Sequence, residues 1–88
     1  MLHVYGMKGC PHCHEALKWL NERKVPYVYL EVEDQPEPII KKLIEINGGD
    51  DWVVPTLEFN GRWIPGEVFD PCVFEDNLIN ICAYTNRR

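Results

Sequence analysis

The feature of this chain that most constrains its fold is a pair of cysteines, Cys10 and Cys13, separated by two residues. Residues 2–5 before the pair have the composition of a β-strand, and apolar residues recur at helical spacing after it. The pair therefore lies at a turn from a strand into a helix. The unpaired N–H groups and the dipole at a helix N-terminus stabilise a thiolate, the reactive form of cysteine. This placement predicts a dithiol that opens and closes as a disulfide.

Length and charge limit the remaining possibilities. The 88 residues predict one domain over residues 1–88, and the formal charge of −5 argues against nucleic-acid binding. We expect the Arg87-Arg88 pair at the end of the chain to be solvated. No apolar run approaches the roughly 20 residues that cross a bilayer, so we expect no membrane partner. Because residues 1–6 already have a strand pattern, we expect no signal peptide and therefore a cytoplasmic location. We also expect a monomer.

The other elements follow from periodicity and from residues that begin or end helices and strands. Pro11 suits the first position of a helix, where its missing N–H is no loss. Asn60-Gly61 predicts a tight hairpin, because both central residues of a type I′ turn need a positive φ. Asp70-Pro71 has the pattern of a helix N-cap. The predicted elements are strand 2–5, helix 11–24, strand 27–32, helix 38–46, strands 56–59 and 62–64, and a helix from 71 to about 83.

The order of these elements is βαβαββα. A strand–helix–strand unit with a short crossover predicts a right-handed parallel pair. The hairpin then adds the antiparallel edge of a mixed sheet. We therefore predict an α/β fold with a four-stranded mixed sheet and helices on both faces.

In its order of elements and its motifs, the chain resembles the glutaredoxin family, which has the minimal thioredoxin fold. Three segments carry the resemblance. They are Cys10-Pro11-His12-Cys13 after the first strand, Val53-Val54-Pro55-Thr56 before the hairpin, and Ile64-Pro65-Gly66 after it, near the family's Gly-Gly pair.

The resemblance implies a thiol–disulfide oxidoreductase. Cys10 would attack the disulfide of a protein or a glutathione mixed disulfide, and Cys13, one turn inside the helix and shielded, would resolve the intermediate. Glutathione is the implied reductant, and no bound cofactor is needed. The family also implies a cis peptide at Val54-Pro55, with the Val54 backbone left to pair with a substrate peptide.

The glutathione site is the part of the pattern from which this chain departs. Glutaredoxins commonly have a lysine three residues before the first cysteine, where this chain has Met7, so Lys8 either contributes to the site or is an ordinary loop charge. Pro65 has no N–H, which leaves Gly66 and Glu67 as candidates to bind glutathione. Small glutaredoxin-like electron donors that thioredoxin reductase serves lack the full glutathione site, and the chain is alternatively one of these.

His12 stands where glutaredoxins commonly have a tyrosine. Cys-Pro-His-Cys also occurs in the DsbA family of strong oxidants, whose potential is near −120 mV, against roughly −200 to −230 mV for glutaredoxins. A partly charged imidazole beside Cys10 would stabilise the thiolate and hence the reduced form. We therefore predict that Pro11 and His12 tune the potential, the alternative being a solvent-facing histidine of little effect.

Three other interpretations stay open. Cys10, Cys13 and His14 match the attachment pattern of c-type haem. The same side chains form an incomplete zinc site, because zinc normally takes four ligands, and we expect no metal. The third interpretation is an interaction domain that keeps the fold without enzymatic activity.

Two cysteines and three aromatic side chains outside the dithiol motif are further candidates for a role at the site. Cys72 and Cys82 lie ten residues apart on the last predicted helix, and so on different faces. We expect both to be buried free thiols, the alternative for Cys72 being a secondary glutathionylation site. The aromatic side chains of Tyr5, Trp52 and Trp63 either line the rim of the site or belong to the core.

Overall fold

A computed structural model describes residues 1–85, and the prediction for Arg87-Arg88 lies outside them. Its elements have the predicted order βαβαββα. Strands β1 to β4 are Leu2–Gly6, Tyr27–Glu31, Thr56–Phe59 and Arg62–Ile64, and helices α1 to α3 are Pro11–Glu22, Glu37–Ile46 and Pro71–Asn80. No helix in this described part is long and apolar enough to cross a membrane.

The strands form one mixed sheet in the order β2-β1-β3-β4. β1 is parallel to β2, with Gly6 opposite Glu31, whereas β3 is antiparallel to both β1 and β4. The predicted parallel pair and its antiparallel edge are therefore confirmed.

Each face of the sheet carries its own apolar cluster, because successive strand residues point to opposite faces. Leu2 and Val4 of β1 pack with α1 and α3, whereas Tyr5 packs with Leu43 of α2. Helices thus cover both faces, as predicted. Tyr5 also stacks on Trp63 with ring centroids 5.9 Å apart, and Trp52 packs against the same cluster, so these aromatic side chains belong to the core.

Turn and cap predictions are confirmed in detail. Asn60 and Gly61 have φ values of 51° and 83°, as a type I′ turn requires. Asp70 caps α3, where its Oδ1 accepts the backbone N–H groups of Cys72 at 2.9 Å and Val73 at 3.2 Å.

All three α-helices in the described residues end in a left-handed residue. These residues are Lys24, Gly48 and Cys82, with φ values of 56°, 104° and 65°. In each case the N–H of the next residue bonds to a carbonyl five positions earlier, at 2.9 to 3.0 Å, which is the Schellman arrangement. This motif stops α3 at Asn80, three residues before the predicted end.

Four other boundaries differ from the predictions. Strand β1 extends to Gly6, one residue past its predicted end, and helix α1 ends at Glu22, two residues before its predicted end. Val32 does not extend β2 but begins a 3₁₀ turn, Val32–Asp34, and its side chain is fully buried beside Leu43. Helix α2 begins at Glu37, one residue before the proline predicted to open it. Pro38 fits the second position because the first N–H groups of a helix have no partner within it.

Gly6, the last residue of β1, lies against two side chains. A Cβ here would be 2.9 Å from Cε1 of Tyr29 and 3.2 Å from Sγ of Cys13. We expect Gly6→Ala to lower the free energy of unfolding by about 1–3 kcal/mol, because overpacking displaces well-packed neighbours. Urea unfolding measures this change. In a Tyr29→Leu background the substitution should be less destabilising, and an equal loss in both backgrounds would contradict a clash with the ring.

Candidate active site

Cys10 is the N-cap residue of α1 and is half-buried. Its Sγ accepts the backbone N–H of Cys13 at 3.2 Å, so the sulfur takes the place that a capping oxygen usually has. Its backbone carbonyl accepts the N–H of His14 at 3.1 Å and so begins the helical hydrogen bonds. The sulfur predicted to be the nucleophile thus lies at the positive end of the helix dipole.

Cys13 lies one turn inside α1 with 2% of its surface exposed. Burial and the hydrogen bond with Cys10 raise the pKa of the Cys13 thiol to about 12, and the charge of Glu31 acts in the same direction. Cys13 therefore keeps its proton at neutral pH. This is the shielded second thiol that the sequence predicts.

Glu31 is a site residue that sequence reasoning missed. Its Oε1 accepts the backbone N–H of Lys8 at 3.1 Å, and its Oε2 accepts the hydroxyl of Tyr29 at 2.6 Å. These two bonds lower the pKa of the Glu31 carboxyl. They also tie the loop before Cys10 to the end of β2, so Lys8 is held through its backbone while the residue as a whole is exposed.

A signal for Glu31 exists in the sequence. The carboxyl ends of parallel strands meet at one edge of a sheet, and the register places Glu31 opposite Gly6. An acidic residue at the end of the second predicted strand is therefore expected near a motif that follows the first strand.

The Val54-Pro55 peptide is cis, as the family resemblance implies. Pro55 is buried and Val54 is half-buried, while Val53 is 44% exposed. The Val53 carbonyl accepts the hydroxyl of Thr56 at 2.6 Å. This hydrogen bond anchors residues 53–55, the cis-proline segment, to the first residue of β3.

The loop after β4 has two of its backbone N–H groups, those of Gly66 and Phe69, engaged within the chain. Pro65 has no N–H, Gly66 donates to Oδ1 of Asn47 at 2.8 Å, and Phe69 donates to Nδ1 of His12 at 3.2 Å. The carboxylate of Glu67 accepts Nδ2 of Asn77 at 2.8 Å. Gly66 lies against the backbone of Val53 in the cis-proline segment, whereas the Glu67 carboxylate faces α3.

His12 is half-buried and connects α1 to this loop. Nδ1 of His12 is the atom that accepts the Phe69 N–H, so this hydrogen bond holds the ring against the loop. The ring therefore does not simply face solvent, and its effect on the potential stays a prediction.

The prediction that Cys72 and Cys82 are buried is wrong, since both are exposed. The buried stripe of the last helix and its cap consists of Phe74, Leu78 and Ile81. Cys72 lies outside this stripe in the first turn. Cys82 lies past the helix end, with Sγ 3.5 Å from Nη1 of Arg62.

Within residues 1–85, no group of three or more histidine, cysteine, aspartate or glutamate side chains lies close enough together to hold a metal ion. The residue His14, part of the haem-type pattern, is exposed on α1.

A half-buried sulfur at a helix N-terminus, one turn from a thiol that keeps its proton, can exchange with a disulfide and then close upon itself. After the first strand of this four-stranded mixed sheet, that arrangement is typical of a redox protein of the thioredoxin fold. A family model described as glutaredoxin matches residues 2–64, which include both cysteines and the Val54-Pro55 peptide. The chain belongs to the glutaredoxin family.

Two curated relatives are similar to part of the chain. Both are glutaredoxin-like proteins NrdH of Lactococcus lactis, one from subspecies cremoris strain MG1363 and one from subspecies lactis strain IL1403. Each is 33% identical over 46 residues, which are 52% of this chain and 62% of the relative. The chain thus spans less than two thirds of the length of the curated relatives it matches.

Solved structures confirm the fold. The glutaredoxin of Archaeoglobus fulgidus matches with a TM-score of 0.66 and 20% identity, over 85% of this chain and 82% of that one. A buckwheat glutaredoxin–glutathione complex matches with a TM-score of 0.63 and 19% identity, over 93% and 70%. A dithiolic glutaredoxin of Trypanosoma brucei brucei matches with a TM-score of 0.61 and 21% identity, over 93% and 79%.

The two site thiols should differ sharply in alkylation. With its pKa at about 12, Cys13 has roughly one thiolate in ten thousand at pH 8, so iodoacetamide should modify Cys10 and leave Cys13 intact. The Cys13 rate should rise about tenfold for each pH unit below 12. Peptide mass mapping in a Cys72→Ser/Cys82→Ser background measures both rates, and equal rates at pH 8 would contradict the assignment of roles.

Proposed function

We propose that this protein is a thiol–disulfide oxidoreductase that reduces protein disulfides by exchange at Cys10 and Cys13. The observation that carries the proposal is the half-buried Cys10 sulfur held by the N–H of a buried Cys13. The Cys10 thiolate attacks one sulfur of the substrate disulfide, and the other sulfur leaves as a thiolate that takes up a proton. Cys13 then loses its proton and attacks the Cys10 sulfur, which releases the second substrate thiol and closes the disulfide. The substrate gains two electrons and two protons.

The surface beside Cys10 suits an extended peptide. The resemblance assigns substrate pairing to the backbone of Val54, which adjoins the cis peptide. Val53 and Val68 are 44% and 71% exposed, and exposed apolar side chains favour docking of a protein partner. Such a partner would meet the cysteine and the cis-proline segment together.

The electron source has two candidates. Glutathione is the reductant that the family resemblance implies, with Lys8, Val54, Pro55, Gly66 and Glu67 as its candidate contacts. The loop after β4 favours the second, a thioredoxin reductase. In that loop the N–H groups of Gly66 and Phe69 already donate hydrogen bonds within the chain. A glutathione carboxylate would have to compete with those bonds.

The oxidised protein should be reduced slowly by glutathione and quickly by thioredoxin reductase with NADPH. Intact mass spectrometry after acid quenching follows both reactions. In a Cys72→Ser/Cys82→Ser background, a Cys13→Ser variant that takes one glutathione per chain onto Cys10 from oxidised glutathione in a fast reaction, with release of one reduced glutathione, would establish the glutathione route instead. Cys10→Ser in the same background is the matched control and should hold none.

Failure of both reductants to open the disulfide would contradict the proposed function. Reduction of insulin disulfides by the wild type, absent in Cys10→Ser, supports it independently of the electron source.

We also propose that His12 raises the reduction potential, because an imidazole beside Cys10 would stabilise the thiolate and hence the reduced form. His12→Tyr should then make the potential more negative, toward the roughly −200 to −230 mV of glutaredoxins. Equilibration in glutathione buffers, with mass spectrometry of alkylated samples, measures the shift. His14→Tyr, on the exposed side of α1, is the control, and equal potentials for His12→Tyr and wild type would refute the tuning role.

We infer that the protein acts as a cytoplasmic monomer. The inference is supported by the chemistry, since a disulfide that forms transiently during turnover suits a reducing compartment. Sedimentation equilibrium of the reduced protein tests the monomer, because a dimer would double the measured mass.

A further inference from the structure

Asn47 takes no part in the thiol chemistry, yet its side chain contacts three separate segments. Its Nδ2 donates to the Leu43 carbonyl in α2 at 2.8 Å and to Oγ1 of Thr56 in β3 at 3.0 Å. Its Oδ1 accepts the Gly66 N–H at 2.8 Å. This residue at the end of α2 therefore joins the helix to the start of β3 and to the loop after β4.

Thr56 extends the first connection to the cis-proline segment. Its hydroxyl accepts from Asn47 and donates to the Val53 carbonyl at 2.6 Å, and the residue is only 1% exposed. The direction of the hydroxyl proton is fixed, because Nδ2 can only donate and a carbonyl can only accept. The two bonds hold the backbone next to the Val54-Pro55 peptide.

Gly66 provides the second connection. A Cβ at Gly66 would lie 2.5 Å from the Val53 carbonyl oxygen, so the two backbones are already in contact. Asn47 binds Gly66 directly and Val53 through Thr56. It therefore holds both sides of the contact between the cis-proline segment and the loop.

We propose that Asn47 is a positioning residue for disulfide exchange, which sets the place of the Val54-Pro55 peptide relative to the loop at Gly66. The proposal rests on the proposed function, because the distance between the Val54-Pro55 peptide and the Gly66 loop matters only if a disulfide substrate binds there. Loss of these uncharged hydrogen bonds should weaken substrate binding by about tenfold.

The first test compares Asn47→Ala with the wild type in the reduction of insulin, for which kcat and KM are measured. We expect KM to rise about tenfold and kcat to stay within about twofold, because binding geometry changes while the dithiol does not. The alkylation rate of Cys10 and the redox equilibrium constant with glutathione should also stay within about twofold. Asn80→Ala, an exposed asparagine at the end of α3, is the matched control.

A merely structural role gives a different result. Partial unfolding of Asn47→Ala would lower the amount of active protein and hence the apparent kcat, without changing KM. Asn47→Asp keeps an oxygen for the Gly66 N–H but loses the donor to Thr56, so its KM should lie between those of the wild type and Asn47→Ala.

Thr56→Val independently tests the connection from Asn47 through Thr56 to Val53. It also replaces the first test if Asn47→Ala fails to fold. The substitution removes the hydroxyl between Asn47 and Val53, so it should also raise KM. If Asn47 acts through Thr56, the double variant should raise KM by less than the product of the two single effects. If the two single effects on KM simply multiply in the double variant, the proposal that Asn47 acts through Thr56 is overturned.

Hydrogen exchange of the Gly66 amide gives a readout that needs no activity. This amide should be protected in the wild type and exchange about tenfold faster in Asn47→Ala. An unprotected amide in the wild type overturns the connection itself. An active wild type whose KM is unchanged in Asn47→Ala overturns the positioning role alone, whereas a wild type that reduces no disulfide overturns the proposed function.

Discussion

The parallel pairing of β1 with β2 is the constraint on which the site depends. It places Gly6, the last residue before the loop of the dithiol, opposite Glu31. From there the Glu31 carboxylate holds the Lys8 N–H and the Tyr29 hydroxyl. The lack of a side chain at Gly6 lets the Tyr29 ring and the Cys13 sulfur approach the same backbone. A bulkier residue or a shifted register would move the nucleophile and its partner thiol together.

Most of the fold could be predicted because its signals are local. Asn60-Gly61 specifies its turn through the φ values of two residues, and Asp70 specifies its cap through bonds to the next two N–H groups after Pro71. The dithiol itself is also local. Its roles follow from the position of each cysteine relative to the first turn of a helix.

The features that sequence reasoning missed depend on contacts distant along the chain. The hydrogen bond at Nδ1 of His12 comes from a backbone N–H 57 residues later, and Asn47 is defined as a bridge only once Gly66 packs against Val53. The error on Cys82 has another cause. Helix α3 ends early in a left-handed residue, so a periodicity continued past Asn80 no longer describes where side chains point.

The close contact between Gly66 and the Val53 carbonyl has a consequence for the entropy of association. Two segments whose backbones touch have little freedom to move independently, so this part of the surface is ordered before any partner binds. The conformational entropy that a flexible loop would lose on binding is largely lost during folding instead. A partner that docks there therefore meets a surface that is already in place, and less conformational entropy is lost on association.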